Sequence, residues 1–267
     1  MRKISELLSL KSRVALITGG AGQIGSTMAE ALAELGAHIV ILDINSEFCS
    51  QVCKRIAKDY AVKALPLSVD LSREEEIRLV PEKVLKEFGR LDILVNCAAL
   101  VGSSELEGWI VPFEKQKINT WRLALEVNLN APFMLIQGFT PALKKSGHGS
   151  IINIASIYGL VGPDMTLYEG TDMGNPGAYA ASKGGLLQIT RWLSTVLAPD
   201  IRVNAISPGG IQANQPDMFK NRYINKTPLR RMGTVEDLKG AIAYLASDLS
   251  VYVTGQNLIV DGGWTVW

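Results

Sequence analysis

The sequence predicts one α/β domain over residues 1–267, built on a doubly wound parallel sheet of about seven strands with helices on both faces. Three observations predict this fold class. Short apolar runs alternate with amphipathic segments along the whole chain, as in parallel strands joined by crossover helices. Several of these runs are continuously apolar, which is typical of strands covered on both faces. No repeat, low-complexity linker or change in composition divides the chain.

The elements follow in order from this pattern. The expected strands are Val14–Thr18, Ile39–Asp43, Lys63–Val69, Ile93–Asn96, Ser150–Ala155, Arg202–Ile206 and Asn257–Val260. Helical patterns lie near residues 24–35, 46–59, 73–88, 119–145, 178–198 and 235–247. Ser72-x-x-Glu75 and Thr234-x-x-Asp237 have the spacing of capping boxes that open the third and sixth of these helices. The connections 99–118 and 157–177 are longer than the alternation needs, and long loops are more often functional than idle.

The composition excludes several classes of partner. The 27 Lys and Arg residues nearly balance the 26 Asp and Glu residues, so no net field draws the chain to nucleic acid or to an anionic membrane. No apolar run is long enough for a membrane span, and the N-terminal residues make a poor secretory signal. Three cysteines cannot form a full disulfide framework, so we expect free thiols in a reducing cytoplasm. No metal site is expected.

A glycine-rich turn follows the first strand. Its Gly20-x-Gly22-x-x-Gly25 spacing lies between a strand and a helical pattern, which is the context that a dinucleotide-binding turn requires. Glycines let the backbone approach a pyrophosphate closely, and the helix N-terminus then supplies N–H donors and a favourable dipole. The alternative is a strand–helix turn without a ligand. The context favours a Rossmann-type sheet that binds a nicotinamide dinucleotide.

The end of the second strand predicts which dinucleotide is bound. Asp43 follows the glycines by some twenty residues, where a carboxylate can accept both ribose hydroxyls and repel a 2′-phosphate. The glycine turn contains no Arg or Lys to hold such a phosphate. NAD is therefore expected, and NADP is the less favoured cofactor. Taken alone, Asp43 is equally consistent with a simple turn residue.

Tyr179 and Lys183 are the candidate chemical groups. Of the seven tyrosines, Tyr179 is the only one with a lysine four residues later, and this spacing places two residues on one helix face. A free phenol has a pKa near 10, and lowering it by about three units takes roughly 4 kcal/mol of anion stabilisation. A nearby ammonium together with an oxidised nicotinamide would supply it. The alternative is an ordinary surface pair.

These motifs together resemble the short-chain dehydrogenase/reductase family, in its short single-domain branch. The resemblance covers nearly the whole chain, and its motifs occur in the same order as in the family. It rests on the glycine turn at 18–25, Asp70-Leu71, Asn96-Cys97-Ala98-Ala99, Asn128 in Glu-Val-Asn-Leu-Asn, Ser156, Tyr179-x-x-x-Lys183, Val203-Asn-Ala-Ile-Ser-Pro-Gly209 and Thr254 to Gly263.

The resemblance implies a role for each candidate residue. Tyr179 is the general acid/base, Lys183 lowers its pKa and holds the nicotinamide ribose, Ser156 binds the substrate oxygen, and Asn128 holds a water that links Lys183 to solvent. The residues expected to contact the cofactor, besides Tyr179 and Lys183, are Gly19, Gly22, Gln23, Ile24, Gly25, Asp43, Asp70, Leu71, Asn96, Pro208, Gly209 and Ile211.

The chain also departs from the family pattern. Gln23 occupies the place of a middle glycine, and the resulting T-G-x-x-G-x-x-G spacing is met in the family's extended branch. Epimerases and dehydratases of that branch carry a separate substrate domain, for which this chain is expected to have no room. Ala99 replaces a glycine, and Ala213 stands where the family often has a threonine that binds the carboxamide.

The largest departure is the distance from Ser156 to Tyr179, which is 23 residues and much longer than the family's usual gap. This extra segment leaves and returns to the chemical site, so we expect it to border the substrate. It is rich in polar groups, and we expect a polar, sugar-like substrate; these groups are Tyr168, Glu169, Thr171, Asp172 and Asn175. The alternatives are a loop that packs on a neighbouring subunit, and a 3-oxoacyl-thioester reductase.

The C-terminal Gly262-Gly-Trp-Thr-Val-Trp267 is unusually aromatic for a free tail, and exposed tryptophans are costly unless covered. Family members are commonly tetramers that meet at their last strands, so we expect a homo-oligomer, and a tetramer first. A small-molecule substrate is the other expected partner. A non-enzymatic NAD-binding sensor on the same fold is an alternative of another class, although a sensor has no need of an acid/base.

Overall fold

Seven parallel strands form one sheet in the order β3-β2-β1-β4-β5-β6-β7 in the computed structural model, which describes residues 1–101 and 105–267. Residues 102–104, within the long connection predicted at 99–118, lie outside the described residues. The predicted doubly wound parallel sheet is confirmed. Its strands are β1 Val14–Thr18, β2 His38–Asp43, β3 Ala64–Ser68, β4 Ile93–Asn96, β5 Gly149–Ile154, β6 Ile201–Pro208 and β7 Asn257–Val260.

Helices connect consecutive strands. They are α1 Ile4–Leu8, α2 Gln23–Glu34, α3 Ser46–Tyr60, α4 Glu74–Arg78, α5 Val80–Phe88, α6 Ile118–Leu125, α7 Ala131–Ser146, α8 Gly177–Val196, α9 Asp217–Lys226 and α10 Lys239–Ala246. A π-helical turn, Glu126–Asn130, joins α6 to α7, and short 3₁₀ turns include Ile157–Gly159, Met165–Leu167 and Val235–Leu238. No helix in the described ranges is long and apolar enough to cross a membrane.

The core lies in two layers, one on each face of the sheet. Along β1, Ala15 and Ile17 face the layer covered by α2, α3 and α10, whereas Val14 and Leu16 face the layer covered by α5, α7 and α8. Successive side chains of a strand point to opposite faces, so a strand covered on both sides must be apolar throughout. This requirement explains the continuous apolar runs of β1, β4 and β5.

The topology creates a crevice at one edge of the sheet. From β1 the chain continues to β2 and β3 on one side of the sheet, and from β4 it continues to β5, β6 and β7 on the other. Strands β1 and β4 are parallel neighbours, with Thr18 beside Asn96 at their carboxyl ends. Ligands of open α/β sheets bind outside the carboxyl ends of the strands at such a switch point. The glycine turn, Asn96 and Ser156 all follow or end strands at this edge.

Two local predictions were wrong. Ser72 does not cap a helix with Glu75, because its backbone N and its hydroxyl both donate to the carboxylate of Asp70, at 2.9 and 2.8 Å. The helix begins later, at Glu74. The single helix predicted over 73–88 is divided near Leu79, because Pro81 has no N–H for the backbone ladder. The second capping box, Thr234 with Asp237, is confirmed and opens the turn before α10.

Candidate active site

The glycine turn brings backbone close to backbone at the start of α2. Gly19 has a positive φ of 62°, and a Cβ there would lie 2.8 Å from the Cα of Ala98. A Cβ on Gly25 would lie 2.2 Å from the carbonyl oxygen of Gly19. Gly22 caps the helix without a side-chain bond, so the N–H groups at Gln23 and Ile24 keep their capacity to donate. This glycine-lined helix start fits a pyrophosphate.

Asp43 faces this turn from the end of β2. One carboxylate oxygen accepts from the backbone N of Ala21 at 3.2 Å, and the other accepts from the N of Asn45 at 3.3 Å. Each oxygen retains lone pairs for a ligand. The side chain is therefore held at the mouth of the turn, where the sequence predicts the adenosine ribose.

Asp70 and Leu71 follow β3 on the same edge of the sheet. One carboxylate oxygen of Asp70 accepts from the backbone N and the hydroxyl of Ser72, and the backbone N of Asp70 donates to Glu76 at 2.9 Å. Leu71 is buried. The two residues form a rigid turn beside the crevice, and their predicted contact with an adenine remains a prediction.

A chain of buried hydrogen bonds supports the centre of the crevice. The Thr18 hydroxyl accepts from the backbone N of Cys97 and of Ala98, at 3.0 and 3.1 Å, and so ties the end of β1 to the segment after β4. The Asn96 amide donates to Asn153, at 2.8 Å. The Oδ1 of Asn96 is buried without a hydrogen-bond partner among the described residues. This unused acceptor beside the glycine turn is a further feature that fits a polar ligand.

Ser156, Tyr179 and Lys183 lie together, as the sequence predicts. A side-chain hydrogen bond joins Ser156 to Tyr179. The ammonium of Lys183 lies 5.8 Å from the centre of the Tyr179 ring and donates to the carbonyl oxygen of Ile154 at 2.7 Å. Gly159 allows this assembly, because a Cβ there would lie 2.7 Å from the carbonyl carbon of Lys183.

Burial sets the protonation of this group. Burial raises the pKa of Tyr179, and the hydrogen bond from Ser156 opposes part of that rise. Burial lowers the pKa of Lys183 to about 8, opposed by the thiol of Cys97. Without ligand, the phenol therefore keeps its proton and is an acid. It becomes a base only when further positive charge stabilises its anion.

Asn128 lies fully buried in the π-helical turn between α6 and α7. Its amide accepts from the N of Leu100 at 2.7 Å and donates to the Leu100 carbonyl and to the Ser182 hydroxyl, at 3.1 and 3.0 Å. Both amide hydrogens are thus engaged, and one lone pair remains. Asn128 thus joins the segment after β4, at Leu100, to α8 at Ser182, the residue before Lys183. Its predicted contact with a water remains a prediction.

Pro208, Gly209 and Ile211 line the opposite side of the crevice. The backbone N of Gly209 donates to Val260 at 2.9 Å, and Ile211 pairs with Gly233 in an isolated β-bridge. The Gln23 amide donates to the carbonyl of Gln212 at 3.4 Å. The glycine turn and the segment after β6 therefore meet across the crevice, in the position predicted for the nicotinamide.

The long segment 157–177 packs within this chain on an aromatic cluster, which we call the aromatic wall. The Tyr168 hydroxyl lies 3.0 Å from that of Tyr158, and Tyr223 accepts from the backbone N of Gly210 at 2.6 Å. The rings of the wall contact one another between the segment, α9 and the C-terminus; they are Tyr158, Tyr168, Phe219, Tyr223 and Trp264.

The polar residues of this segment do not all face inward, contrary to expectation. Glu169 and Asp172 are exposed, and the Thr171 hydroxyl donates to the carbonyl of Tyr168 at 2.7 Å within the loop itself. Asn175 is half-buried, with its Oδ1 unpartnered among the described residues. Tyr168 alone of the five reaches the aromatic wall.

Sequence reasoning missed Tyr158, Tyr223 and Trp264. Tyr158 had a usable signal, because it follows Ser156 by two residues in the turn that leads away from the site. Trp264 had one as well, because the aromatic C-terminus was expected to need cover, and this tryptophan is covered within the chain. Tyr223 had none, because nothing near it in the sequence carries chemistry. The places of Tyr223 and Trp264 depend on α9 and the C-terminal residues folding back over the edge of the sheet.

Comparisons with known proteins agree with this geometry. A family model described as enoyl-(acyl carrier protein) reductase matches residues 19–265. A 3-oxoacyl-[acyl-carrier-protein] reductase of Thermotoga maritima is 33% identical over 263 residues, which cover 96% of this chain and 99% of that protein.

Two solved structures are similar along nearly their whole length. A short chain dehydrogenase of Leptospira borgpetersenii with bound NAD⁺ has a TM-score of 0.84 and 36% identity, covering 99% of this chain and 96% of that one. A gluconate 5-dehydrogenase of Burkholderia cenocepacia, in complex with NADP and tartrate, has a TM-score of 0.87 and 30% identity, covering 99% and 100%. The relatives thus differ in both cofactor and substrate.

Proposed function

The chain belongs to the short-chain dehydrogenase/reductase family, a family of oxidoreductases, and from this premise we propose that it uses NAD to interconvert a carbonyl and an alcohol on a small, polar, sugar-like substrate. One observation carries the proposal: the Ser156–Tyr179 hydrogen bond lies beside the buried Lys183, at the edge of the sheet where the glycine turn opens.

Each side chain has a distinct part in the chemistry. A bound nicotinamide supplies the hydride in reduction and accepts it in oxidation. Tyr179 donates its phenolic proton to the substrate carbonyl oxygen in reduction and takes the hydroxyl proton in oxidation. Ser156 accepts a bond from the backbone N of Tyr158 at 3.1 Å, and its own proton, which is donated to Tyr179 without ligand, turns to the substrate oxygen when substrate binds.

Lys183 holds the opposite side of the phenol. One of its ammonium protons is donated to Ile154, and the other two are available for the nicotinamide ribose. Its positive charge lowers the cost of forming the Tyr179 anion during oxidation.

Asp43 supports NAD over NADP. Its carboxylate is fixed at the mouth of the glycine turn by Ala21 and Asn45, where a 2′-phosphate would meet a like charge. The NAD⁺ bound to the 36%-identical relative supports the same choice. The NADP complex of the gluconate 5-dehydrogenase makes NADP the alternative to test.

A 3-oxoacyl-thioester reductase is the second candidate function. The Thermotoga maritima relative favours it, and the family model names another reductase of acyl carrier protein substrates. The hydroxyl groups of Tyr158 and Tyr168 in the aromatic wall favour the polar substrate instead, because an acyl chain is best covered by purely apolar side chains.

We also propose a homo-oligomer, with a tetramer as the first expectation. Strand β7 is an edge of the sheet, and Leu258 and Ile259 on it are exposed, as are Val266 and Trp267 beyond it. An exposed apolar edge strand is a surface that a second copy can cover. Light scattering at micromolar concentration tests this, and a stable monomer contradicts it.

The test of function is a panel of sugar-derived ketones and 3-oxoacyl thioesters, assayed with NADH and NADPH by nicotinamide absorbance. We expect NADH-dependent reduction of the polar ketones, and a loss of about 100-fold or more in kcat for Tyr179→Phe. Tyr252→Phe, at a fully exposed tyrosine, is the matched control.

Three outcomes contradict parts of the proposal. Turnover that survives Tyr179→Phe refutes the acid/base assignment. A preference for acyl thioesters over every sugar-derived ketone favours the second candidate. Tight NAD binding without turnover of any compound favours a non-enzymatic sensor.

A further inference from the structure

Two phenols outside the predicted catalytic set converge on the substrate side of the site. Tyr158 follows Ser156 by two residues, and its backbone N donates to the Ser156 hydroxyl oxygen at 3.1 Å. The turn that carries it packs closely on α8 at Lys183, through Gly159. Tyr158 therefore leaves the backbone directly beside the reacting groups, whereas Tyr168 comes from the middle of the long segment.

The hydroxyls of Tyr158 and Tyr168 form a pair at 3.0 Å. Two hydroxyls joined in this way share one proton, so the second proton remains available to a third group. Among the described residues, no other side-chain or backbone acceptor bonds to either hydroxyl. The pair thus keeps one free donor in a part-buried position, where it is able to bond a ligand oxygen.

Packing fixes where this donor lies. The edge of Trp264 meets the Tyr158 ring, with centroids 6.1 Å apart and planes at 88°. Phe219 packs on the Tyr168 ring at 5.4 Å. The bond from the Tyr158 backbone to Ser156 holds this pair next to the residue predicted to bind the substrate oxygen, and both phenols are close enough to Tyr179 to influence its titration or be influenced by it.

The chemistry of the pair selects a neutral acceptor. Burial raises the pKa of Tyr158 strongly, so this phenol remains a donor throughout the pH range of an assay. Arg222, the cation next to the segment, donates to the carbonyls of Leu167 and Glu169 behind the pair. Lys226, a second cation beside the segment, is paired with Asp164. The pair itself offers a neutral hydroxyl donor, and a carboxylate that loses its hydration there without a paired cation is costly, so the pair suits an alcohol or carbonyl oxygen.

We propose that the Tyr158–Tyr168 pair binds a second substrate oxygen, carried by the carbon next to the one that exchanges hydride. This inference rests on the proposed function, since it gives the polar substrate a vicinal hydroxyl. The pair selects such a substrate because a hydroxyl donor left without an acceptor penalises an analogue that lacks the oxygen.

The experiment compares two ketones that differ in this oxygen alone, 3-hydroxybutan-2-one and butan-2-one, reduced with NADH by the full-length protein. We expect the wild type to favour the hydroxyketone by about tenfold or more in kcat/KM. In Tyr158→Phe, kcat/KM for the hydroxyketone should fall about tenfold while that for butan-2-one changes less than about twofold. Phe retains the ring and its contacts, and thermal unfolding verifies the fold.

Two further variants sharpen the result. Tyr168→Phe removes the partner of the pair and should lower the same ratio by less, and the double variant should lose less than the product of the two single losses, because the hydroxyls act together. Tyr252→Phe should change neither ketone, since its side chain is fully exposed.

A wild type with no preference between the ketones overturns the inference, and so does a wild type that consumes neither. Equal losses for both ketones in Tyr158→Phe also overturn it, because they indicate a structural role. Tyr179→Phe separates this failure from that of the proposed function: retained turnover there refutes the acid/base chemistry whatever the ketone ratio is.

Discussion

The ammonium of Lys183 donates at 2.7 Å to the carbonyl of Ile154, the last residue of β5, and Ser156 follows two residues later. This bond fastens the first half of α8 to the end of β5. The strand carries Ser156 into the site and the helix carries Tyr179, so one contact sets the separation of the hydroxyl, the phenol and the ammonium. The site is preorganised before any ligand binds.

Replacing Lys183 by methionine should remove catalysis while leaving the fold. The charge that stabilises the Tyr179 anion is lost, and we expect kcat to fall about 100-fold or more. Steady-state kinetics in the oxidation direction measure this most directly, since the anion forms there. Lys145→Met, at an exposed lysine of α7, is the control and should keep wild-type kcat. A Lys183→Met enzyme with wild-type kcat would contradict the role of the ammonium.

The same residue predicts a dependence of stability on pH. Burial lowers the pKa of Lys183 from 10.5 to about 8, so the folded protein releases this proton at a lower pH than the unfolded chain. The buried charge therefore costs stability below pH 8, and the cost is relieved as pH rises from 8 towards 10.5. Lys183→Met lacks this buried charge, so below pH 8 it avoids the cost that wild type bears. The resulting advantage in unfolding free energy over wild type should shrink by up to about 3 kcal/mol between pH 8 and 10.5.

Denaturant unfolding of both proteins across this pH range measures the difference. Cys97 interacts with the Lys183 charge, so the comparison is made in a Cys97→Ala background, where the contributions of the other buried tyrosines and cysteines largely cancel. A difference in unfolding free energy that is independent of pH would show that folding does not lower the pKa of Lys183.

Replacing Asp43 by alanine should change the cofactor preference. The carboxylate that accepts from Ala21 and Asn45 is removed, and with it the repulsion of a 2′-phosphate. We expect the NADH to NADPH ratio of kcat/KM to fall about 30-fold, which corresponds to about 2 kcal/mol of like-charge repulsion. Asp59→Ala, at an exposed residue of α3, should leave the ratio unchanged. An unaltered ratio in Asp43→Ala would place the ribose elsewhere.

Gly25→Ala should be costly and Gly240→Ala should not. A Cβ at Gly25 would lie 2.2 Å from the Gly19 carbonyl oxygen, so the glycine turn must open to admit it. Gly240, in α10, has open space at that position. We expect Gly25→Ala to lose about 2 kcal/mol or more and to weaken NAD binding, and Gly240→Ala to gain up to about 1 kcal/mol. Thermal unfolding and fluorescence titration with NADH measure both; equal stability of the two variants would contradict the close approach.

The sheet could be predicted because its strands obey a local rule. A strand buried on both faces favours apolar residues in consecutive positions, and β1, β4 and β5 contain such runs. The buried polar residues of β5, Ser150 and Asn153, are hydrogen-bonded. Helix ends were harder to predict, because Ser72 donates its hydroxyl to the Asp70 carboxylate instead of accepting from the N–H groups of a helix N-terminus. Pro81 in the sequence is a sufficient signal for the break between α4 and α5, although a single helix was predicted there.

The candidate site likewise contains residues that could be predicted from the sequence and residues that could not. Ser156, Tyr179 and Lys183 could be assigned because motif spacing carries their arrangement, and the structure brings them together. The partners of Asn128 could not, because Leu100 and Ser182 meet it only after α6, α7 and α8 have packed. Nor could the sequence indicate that Tyr168 turns inward while Glu169 beside it faces solvent, since that depends on contact with Phe219.

The aromatic wall has a consequence for how this protein acquires a new specificity. Its rings come from three stretches far apart in the chain: the segment after Ser156, α9 and the last few residues. If the segment alone were grafted from a relative, its side chains would have to pack on Phe219, Tyr223 and Trp264. In this chain, Phe219 packs on Tyr168 and Trp264 packs on Tyr158. We therefore expect chimaeras that exchange all three stretches together to fold and bind a new substrate better than chimaeras that exchange the segment alone.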